Sequence, residues 1–155
     1  MPMIAIGNPA PDFTISTDSG ATVSLSDYRG GKLVLYFYPK AGTPGCTIEA
    51  HDFNRLRQEF SAAGATVIGI SPDPAKALAK FRAKESLEFP LAGDEQHAIL
   101  EAYGVWEEKS MYGKTYMGVV RTTVLIDADG RIAQIWPKVK VAGHAEEVLA
   151  AAQAL

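Results

Sequence analysis

The spacing of apolar residues changes along the chain, and each change marks an element. Residues 12–17 and 21–26 alternate apolar with polar positions around Asp18, Ser19 and Gly20, which predicts a β-hairpin near the N-terminus. Residues 32–39 are apolar and aromatic without alternation, bounded by Gly30 and Gly31 before and Pro39 after, as expected of a central strand buried on both faces. From Cys46 to Phe60 the period lengthens: Phe53, Leu56 and Phe60 recur at helical spacing with charged residues between them, and Gly64 is the stop signal.

Residues 65–71 form a second buried strand, after which Pro72, Asp73 and Pro74 open a helix carrying Ala77, Leu78 and Phe81 on one side. Residues 88–93 lead to Asp94, the expected N-cap of a helix over 94–104. Residues 106–117 have no clear period and contain Gly113, so they read as a loop or loose hairpin. Residues 119–136 read as two strands around Asp129 and Gly130, a two-residue hairpin signal. A final Ala-rich helix over 143–154 carries Glu146 and Glu147 in its first turn. The order predicts one α/β domain over residues 1–155, a mixed central sheet with helices on both faces.

Composition narrows the function classes. A chain of 155 residues with 47% hydrophobic residues is large enough for a single core. Fifteen basic against eighteen acidic side chains give a net charge of -3, with no block of like charge. Nucleic acid and anionic membrane are therefore not expected partners. The first residues carry neither a basic start nor a continuous apolar stretch, and no later run approaches a membrane span, so a soluble cytoplasmic protein is expected. The one cysteine, Cys46, cannot form an internal disulfide and so directs attention to reactivity. His97 and His144 stand on separate segments without ligand spacing, and a single cysteine cannot complete a thiolate zinc site. Neither a metal nor an organic cofactor is expected.

Cys46 follows a buried strand and a Pro/Gly loop and stands at the first turn of a helix, the end of an α/β sheet where ligands tend to bind. Helix N-termini offer amides without intrahelical partners and a partial positive charge, and both favour thiolate over thiol. An ordinary thiol of pKa about 8.5 is roughly 3% ionised at pH 7, so ionisation alone gains at most about 30-fold. Breaking an O–O bond also needs donors aimed at the oxygen that takes up negative charge. Thr43, three residues before Cys46, can bring a hydroxyl over the helix start, and Arg121, in a buried-looking strand between Val120 and Thr122, requires a partner or a function.

The segment PKAGTPGC, Pro39 to Cys46, matches the Pro-x-x-x-Thr-x-x-Cys signature of peroxiredoxins, and its wider context YFYPKAGTPGCTIEAHDF resembles the bacterioferritin comigratory protein, or Q-type, branch. The similarity runs from PAPDF through SLSDYRG, the cysteine loop, VIGIS-P and RTTVLID-DG. It implies a thioredoxin-like fold and a thiol peroxidase acting on hydrogen peroxide and organic hydroperoxides. Cys46 would be the peroxidatic nucleophile, Thr43 and Arg121 its activators, Pro39 a shield for the sulfur, and Glu49 the residue that orients Arg121. Helical geometry agrees for Glu49, which lies within about 60° of Cys46 around the axis. Many members of the branch carry a resolving cysteine five residues after the first; here His51 stands there. The expected cycle therefore uses one cysteine, with an external reductant (thioredoxin, glutaredoxin or a low-molecular-weight thiol) or a second subunit through Cys46 itself. The branch implies a monomer or weak homodimer.

Plainer roles exist for each residue. A lone cysteine is commonly a small buried hydrophobe, Thr43 a turn residue, Pro39 a strand terminator, Arg121 an ion-pair partner and Glu49 a first-turn acid. His51, about 140° around the helix from Cys46, is expected on the solvated surface. Trp106, Tyr112, Tyr116 and Trp136 could equally line the approach to the sulfur or pack at the core edge. A different class of function is a redox sensor or holdase switched by oxidation of Cys46. Thioredoxin-like disulfide exchange fits less well, because Thr47, Ile48 and Glu49 follow Cys46 and leave no Cys-x-x-Cys pair.

Overall fold

In the computed structural model, which describes residues 4–155, a five-stranded mixed sheet has the order β5-β4-β3-β8-β9. Strands β3 (Lys32–Phe37), β4 (Ala65–Ser71) and β5 (Leu91–Gly93) are parallel, while β8 (Thr122–Ile126) and β9 (Ile132–Trp136) continue the sheet antiparallel. The central position of β3 accounts for its unalternating sequence: Leu33, Leu35 and Phe37 face one core while Val34 and Tyr36 face the other, followed there by Tyr38. The expected N-terminal hairpin is present as β1 (Thr14–Ser16) and β2 (Thr22–Ser24).

The helices divide unequally between the faces. Helices α1 (Pro44–Arg55), α2 (Arg57–Ala62), α3 (Ala75–Glu85) and α5 (His144–Ala154) pack on one face through Cys46, Ala50, Phe53, Phe60, Leu78, Phe81 and Val148. The opposite face is covered by the short α4 (Ala98–Ala102), the N-terminal hairpin and the segment around Tyr103 and Val105.

Three local expectations are corrected, and a fourth, the loop or loose hairpin after α4, is sharpened. The helix expected from Cys46 to Phe60 is two helices, interrupted at Leu56. There the Arg57 guanidinium takes the Asn54 carbonyl at 2.7 Å and competes with the helical ladder for that acceptor. Asp94 is not the N-cap of α4; His97, in the left-handed conformation, holds that position. The Asp94 carboxylate nevertheless accepts from the Ile99 and Leu100 amides, both at 2.9 Å, so it performs the cap from three residues upstream. Residues 106–119 form a regular antiparallel hairpin, β6 (Trp106–Met111) and β7 (Lys114–Val119), turned at Tyr112 and Gly113, both with positive φ. The β8–β9 connection is longer than two residues: Asp127 and Arg131 close it, with the Asp127 carboxylate accepting from the Asp129 and Arg131 amides. Among the described residues no helix is long and apolar enough to cross a membrane.

Candidate active site

The C-terminal ends of β3 and β4 lie at the same end of the sheet as the start of β8, and α1 begins there. Thr43 is the N-cap of α1 and Pro44 its first residue. Pro44 has no N–H, and its fixed φ suits that position. The first helical bond runs from the Thr47 amide to the Thr43 carbonyl at 2.9 Å, and the Thr47 hydroxyl donates to the same oxygen at 2.8 Å. Cys46 is therefore in the first turn, on the inner stripe it shares with Glu49, Ala50 and Phe53. Only 1% of Cys46 is exposed.

Arg121 reaches this turn from outside the helix. It lies in the link between β7 and β8, one residue before the strand in which the sequence pattern placed it. Its Nη2 donates to Cys46 Sγ at 3.3 Å while its Nη1 donates to Glu49 Oε1 at 2.5 Å. One planar guanidinium thus holds a buried carboxylate and the sulfur together. Gly45 leaves room for it: a Cβ there would lie 3.3 Å from Arg121 Nη2, and the guanidinium would have to give by a few tenths of an ångström. The Arg121 backbone is fixed in turn by the Val139 amide, which donates to its carbonyl at 2.9 Å.

Burial pushes the Glu49 carboxyl up to about 7, against the opposing pull of Arg121. Its second oxygen, Oε2, has no hydrogen-bond partner among the described residues, and neither do the buried hydroxyls of Tyr36 and Tyr38. Those rings stack on each other with centroids 5.3 Å apart, and Tyr36 stacks on Phe53 at 4.7 Å. Burial raises both phenols. Within reach of the Arg121 charge, His144 is buried with Nε2 against the Thr123 hydroxyl at 2.8 Å. Burial, reinforced by the Arg121 charge, pushes its imidazole down to about 4.

The structure brings three of the five expected site residues into contact: Cys46, Arg121 and Glu49. Thr43 is adjacent, but its hydroxyl donates to the Lys40 carbonyl at 2.8 Å, closing the loop before α1. Pro39 is half-buried two residues after β3 ends at Phe37, near the start of that loop. His51 is on the outer surface, paired with Glu85 at 2.7 Å. Trp106 stacks on His97 against the opposite core, Trp136 packs edge-on against His144, and Tyr112 is at the exposed tip of the β6–β7 hairpin. Gly45 and His144 were not anticipated at the site, since neither has a signal of its own in the sequence. A sulfur in the first turn of a helix and in contact with a guanidinium is placed where negative charge on an incoming oxygen can be stabilised.

Residues 6–135 match the AhpC/TSA family. The peroxiredoxin Bcp of Bacillus subtilis is 49% identical over 146 residues, covering 94% of this chain and 93% of its own. A structure of the Xanthomonas campestris bacterioferritin comigratory protein, reported for its alkyl peroxide reduction activity, superposes with a TM-score of 0.91 at 44% identity over 97% of this chain and 98% of that one. The PrxQ of Xylella fastidiosa, as a cysteine-to-serine mutant, gives a TM-score of 0.93 at 39% identity over 97% and 96% of the two chains.

Proposed function

This chain belongs to the AhpC/TSA family as a peroxiredoxin of its Bcp or Q-type branch, and from that premise we propose that Cys46 reduces hydrogen peroxide and organic hydroperoxides in a one-cysteine cycle. The contact of Arg121 with both Cys46 and Glu49 carries the assignment. In the first half-reaction the Cys46 thiolate attacks the terminal oxygen of R–O–O–H. An S–O bond forms as the O–O bond breaks, and the electron pair leaves on RO⁻, which takes a proton and departs as alcohol, or as water when R is hydrogen. Arg121 donates to the reacting atoms throughout, held by Glu49. Thr43, whose own proton is engaged by the Lys40 carbonyl, keeps its oxygen free to accept from the peroxide O–H. Pro39, half-buried near the start of the loop before α1, is assigned the role of shielding the sulfur.

In the second half-reaction a thiolate attacks the sulfur of Cys46 sulfenic acid, forming an S–S bond and releasing hydroxide, which leaves as water on protonation. A second thiol then exchanges, restoring Cys46 and releasing the reductant's disulfide. With one cysteine in the chain both thiols come from outside: thioredoxin, glutaredoxin or a low-molecular-weight thiol. The working form is a monomer or weak homodimer in the cytoplasm. The absence of a resolving cysteine also favours a second reading, a sensor or holdase that is oxidised once and stays modified. Counting peroxide consumed per protein in excess thiol separates them. Many equivalents support the enzyme; a single equivalent, unchanged by any thiol reductant, overturns it.

A further inference from the structure

We propose that Lys138 and Lys140, together with Lys40, form a cationic rim that selects the reductant, and that the external thiol is a small one carrying a carboxylate. The proposal rests on the one-cysteine peroxidase reading given above and narrows its open half, the source of the reducing thiol.

Charge is spread unevenly over this chain. Acidic residues outnumber basic ones by three overall, yet the three segments that converge on Cys46 contain no Asp or Glu. These are residues 33–48, through β3 and its loop into α1; residues 118–126, through the link bearing Arg121 into β8; and residues 132–145, through β9 into α5. Their only Lys and Arg residues are Lys40, Arg121, Lys138 and Lys140.

The fold places the three lysines close to the sulfur's end of the sheet. Trp136 at the end of β9 pairs with Thr123 at the start of β8, so the chain leaves β9 where α1 begins. The Val139 amide then donates to the Arg121 carbonyl at 2.9 Å, which sets Lys138 and Lys140 on either side of that bond, beside the residue whose guanidinium touches Cys46. Lys40 is in the loop before α1, its carbonyl held by the Thr43 hydroxyl. All three lysines are exposed, and among the described residues none forms an ion pair.

Most neighbouring carboxylates are already engaged. Glu49 pairs with Arg121, Asp73 accepts from the Ala41 amide and the Ser71 hydroxyl, and Glu146 pairs with Arg55, which leaves the exposed Glu147, in the first turn of α5, against three lysines. Hydrogen peroxide is neutral and gains nothing from such a rim. The second half-reaction differs, because its nucleophile is a thiolate: it forms the S–S bond with Cys46 as the S–O bond breaks, and hydroxide leaves and is protonated to water. A carboxylate on that thiol adds a second negative charge for the rim to attract, and complementary charge raises encounter rates by about 10- to 10³-fold. With only 1% of Cys46 exposed, a small thiol fits this approach better than one fixed on a protein surface.

Competition between two small thiols tests the rim. The whole chain, oxidised with one equivalent of hydrogen peroxide, is mixed with 3-mercaptopropionate and 2-aminoethanethiol at equal thiolate concentrations and quenched early. Intact-protein mass spectrometry then counts the two mixed disulfides on Cys46. Matching thiolate rather than total thiol removes the difference in ionisation between the two. At low salt the anionic adduct should exceed the cationic one by about 10-fold. In 1 M sodium chloride, where the Debye length is about 3 Å, the ratio should approach unity. Lys138→Gln with Lys140→Gln should bring it close to unity at low salt, and each alone, like Lys40→Gln, should move it part of the way. Lys84→Gln, exposed in the last turn of α3, removes a positive charge elsewhere and should leave the ratio where it was.

A low-salt ratio at or below unity, or one that moves as far with Lys84→Gln as with the Lys138 and Lys140 pair, would overturn the rim. So would an oxidised chain that neither small thiol reduces and that thioredoxin restores. Thermal melts report folding, and should the double variant fail to fold, the single variants and the salt series carry the same test. A wild-type chain whose Cys46 gains no oxygen from peroxide would overturn the peroxidase reading itself, whereas normal oxidation without a charge preference would remove only the rim.

Discussion

The two faces of the sheet treat buried polar groups differently. On the face that carries Cys46, the hydroxyls of Tyr36 and Tyr38 and one oxygen of Glu49 are buried without a partner among the described residues. On the opposite face the polar groups are matched: Asp94 accepts from two amides, and Tyr103 donates to the Pro11 carbonyl at 2.7 Å. An unmatched buried group costs about 1–3 kcal/mol, so three beside one sulfur are a local sacrifice of stability. The matched face stabilises the fold, and the unmatched one leaves polar atoms free near the point where charge develops.

The sharpest break of this contrast is Arg121→Ala. Loss of a transition-state donor lowers rates by about 10² to 10³, so peroxide oxidation of Cys46 should fall by that factor. Stability should change much less, because Glu49, already pushed up to about 7, can take a proton in place of its lost counter-charge. Stopped-flow kinetics beside urea denaturation would show both. An undiminished peroxide rate would remove Arg121 from the chemistry.

A pair of tyrosines tests the two faces by the same chemical change. Tyr103→Phe leaves the Pro11 carbonyl unpaired and should cost about 1–3 kcal/mol in urea denaturation without altering the peroxide rate. Tyr36→Phe removes a hydroxyl that has no partner among the described residues and should leave stability unchanged or raised. Equal losses from both would erase the distinction between the faces.

The smallest effects concern pH, where the two groups flanking Arg121 act in opposite senses. Glu49 is raised from 4.5 to about 7, so it holds a proton in the fold that the unfolded chain has lost. Its contribution is fully present below about 4.5 and is lost as pH rises to about 7. His144 is lowered from 6.5 to about 4, so its contribution is present above 6.5 and is lost as pH falls to about 4. The wild-type dependence should therefore be shallow between about 4.5 and 6.5, the range the two windows share. Glu49→Gln should expose a stability that rises with pH, and His144→Gln one that falls. Chemical denaturation across that window checks the slopes; matching slopes in the two variants would contradict the assignment.

Much of this was legible in the sequence because period follows burial. β3 and β4 are unalternating since both faces are covered, and α1 shows its inner stripe through Phe53. The β6–β7 hairpin was legible only as a loop or loose hairpin for the converse reason: most of its residues are exposed on both faces, so no period survives. The peroxiredoxin motif pointed to Cys46, Glu49 and Arg121, which meet, and to Thr43, whose hydroxyl is turned to Lys40. Gly45 and His144 escaped because their significance lies in partners distant along the chain: Arg121 and Thr123.

The central claim is that one sulfur, held by Arg121 at the start of α1, takes an oxygen from peroxide. Intact-protein mass spectrometry after one equivalent of hydrogen peroxide, with peptide mapping and subsequent thiol treatment, tests it directly. The account predicts a gain of one oxygen on Cys46 that added thiol reverses. An unmodified Cys46, with peroxide unconsumed or the oxygen found on methionine instead, would contradict it.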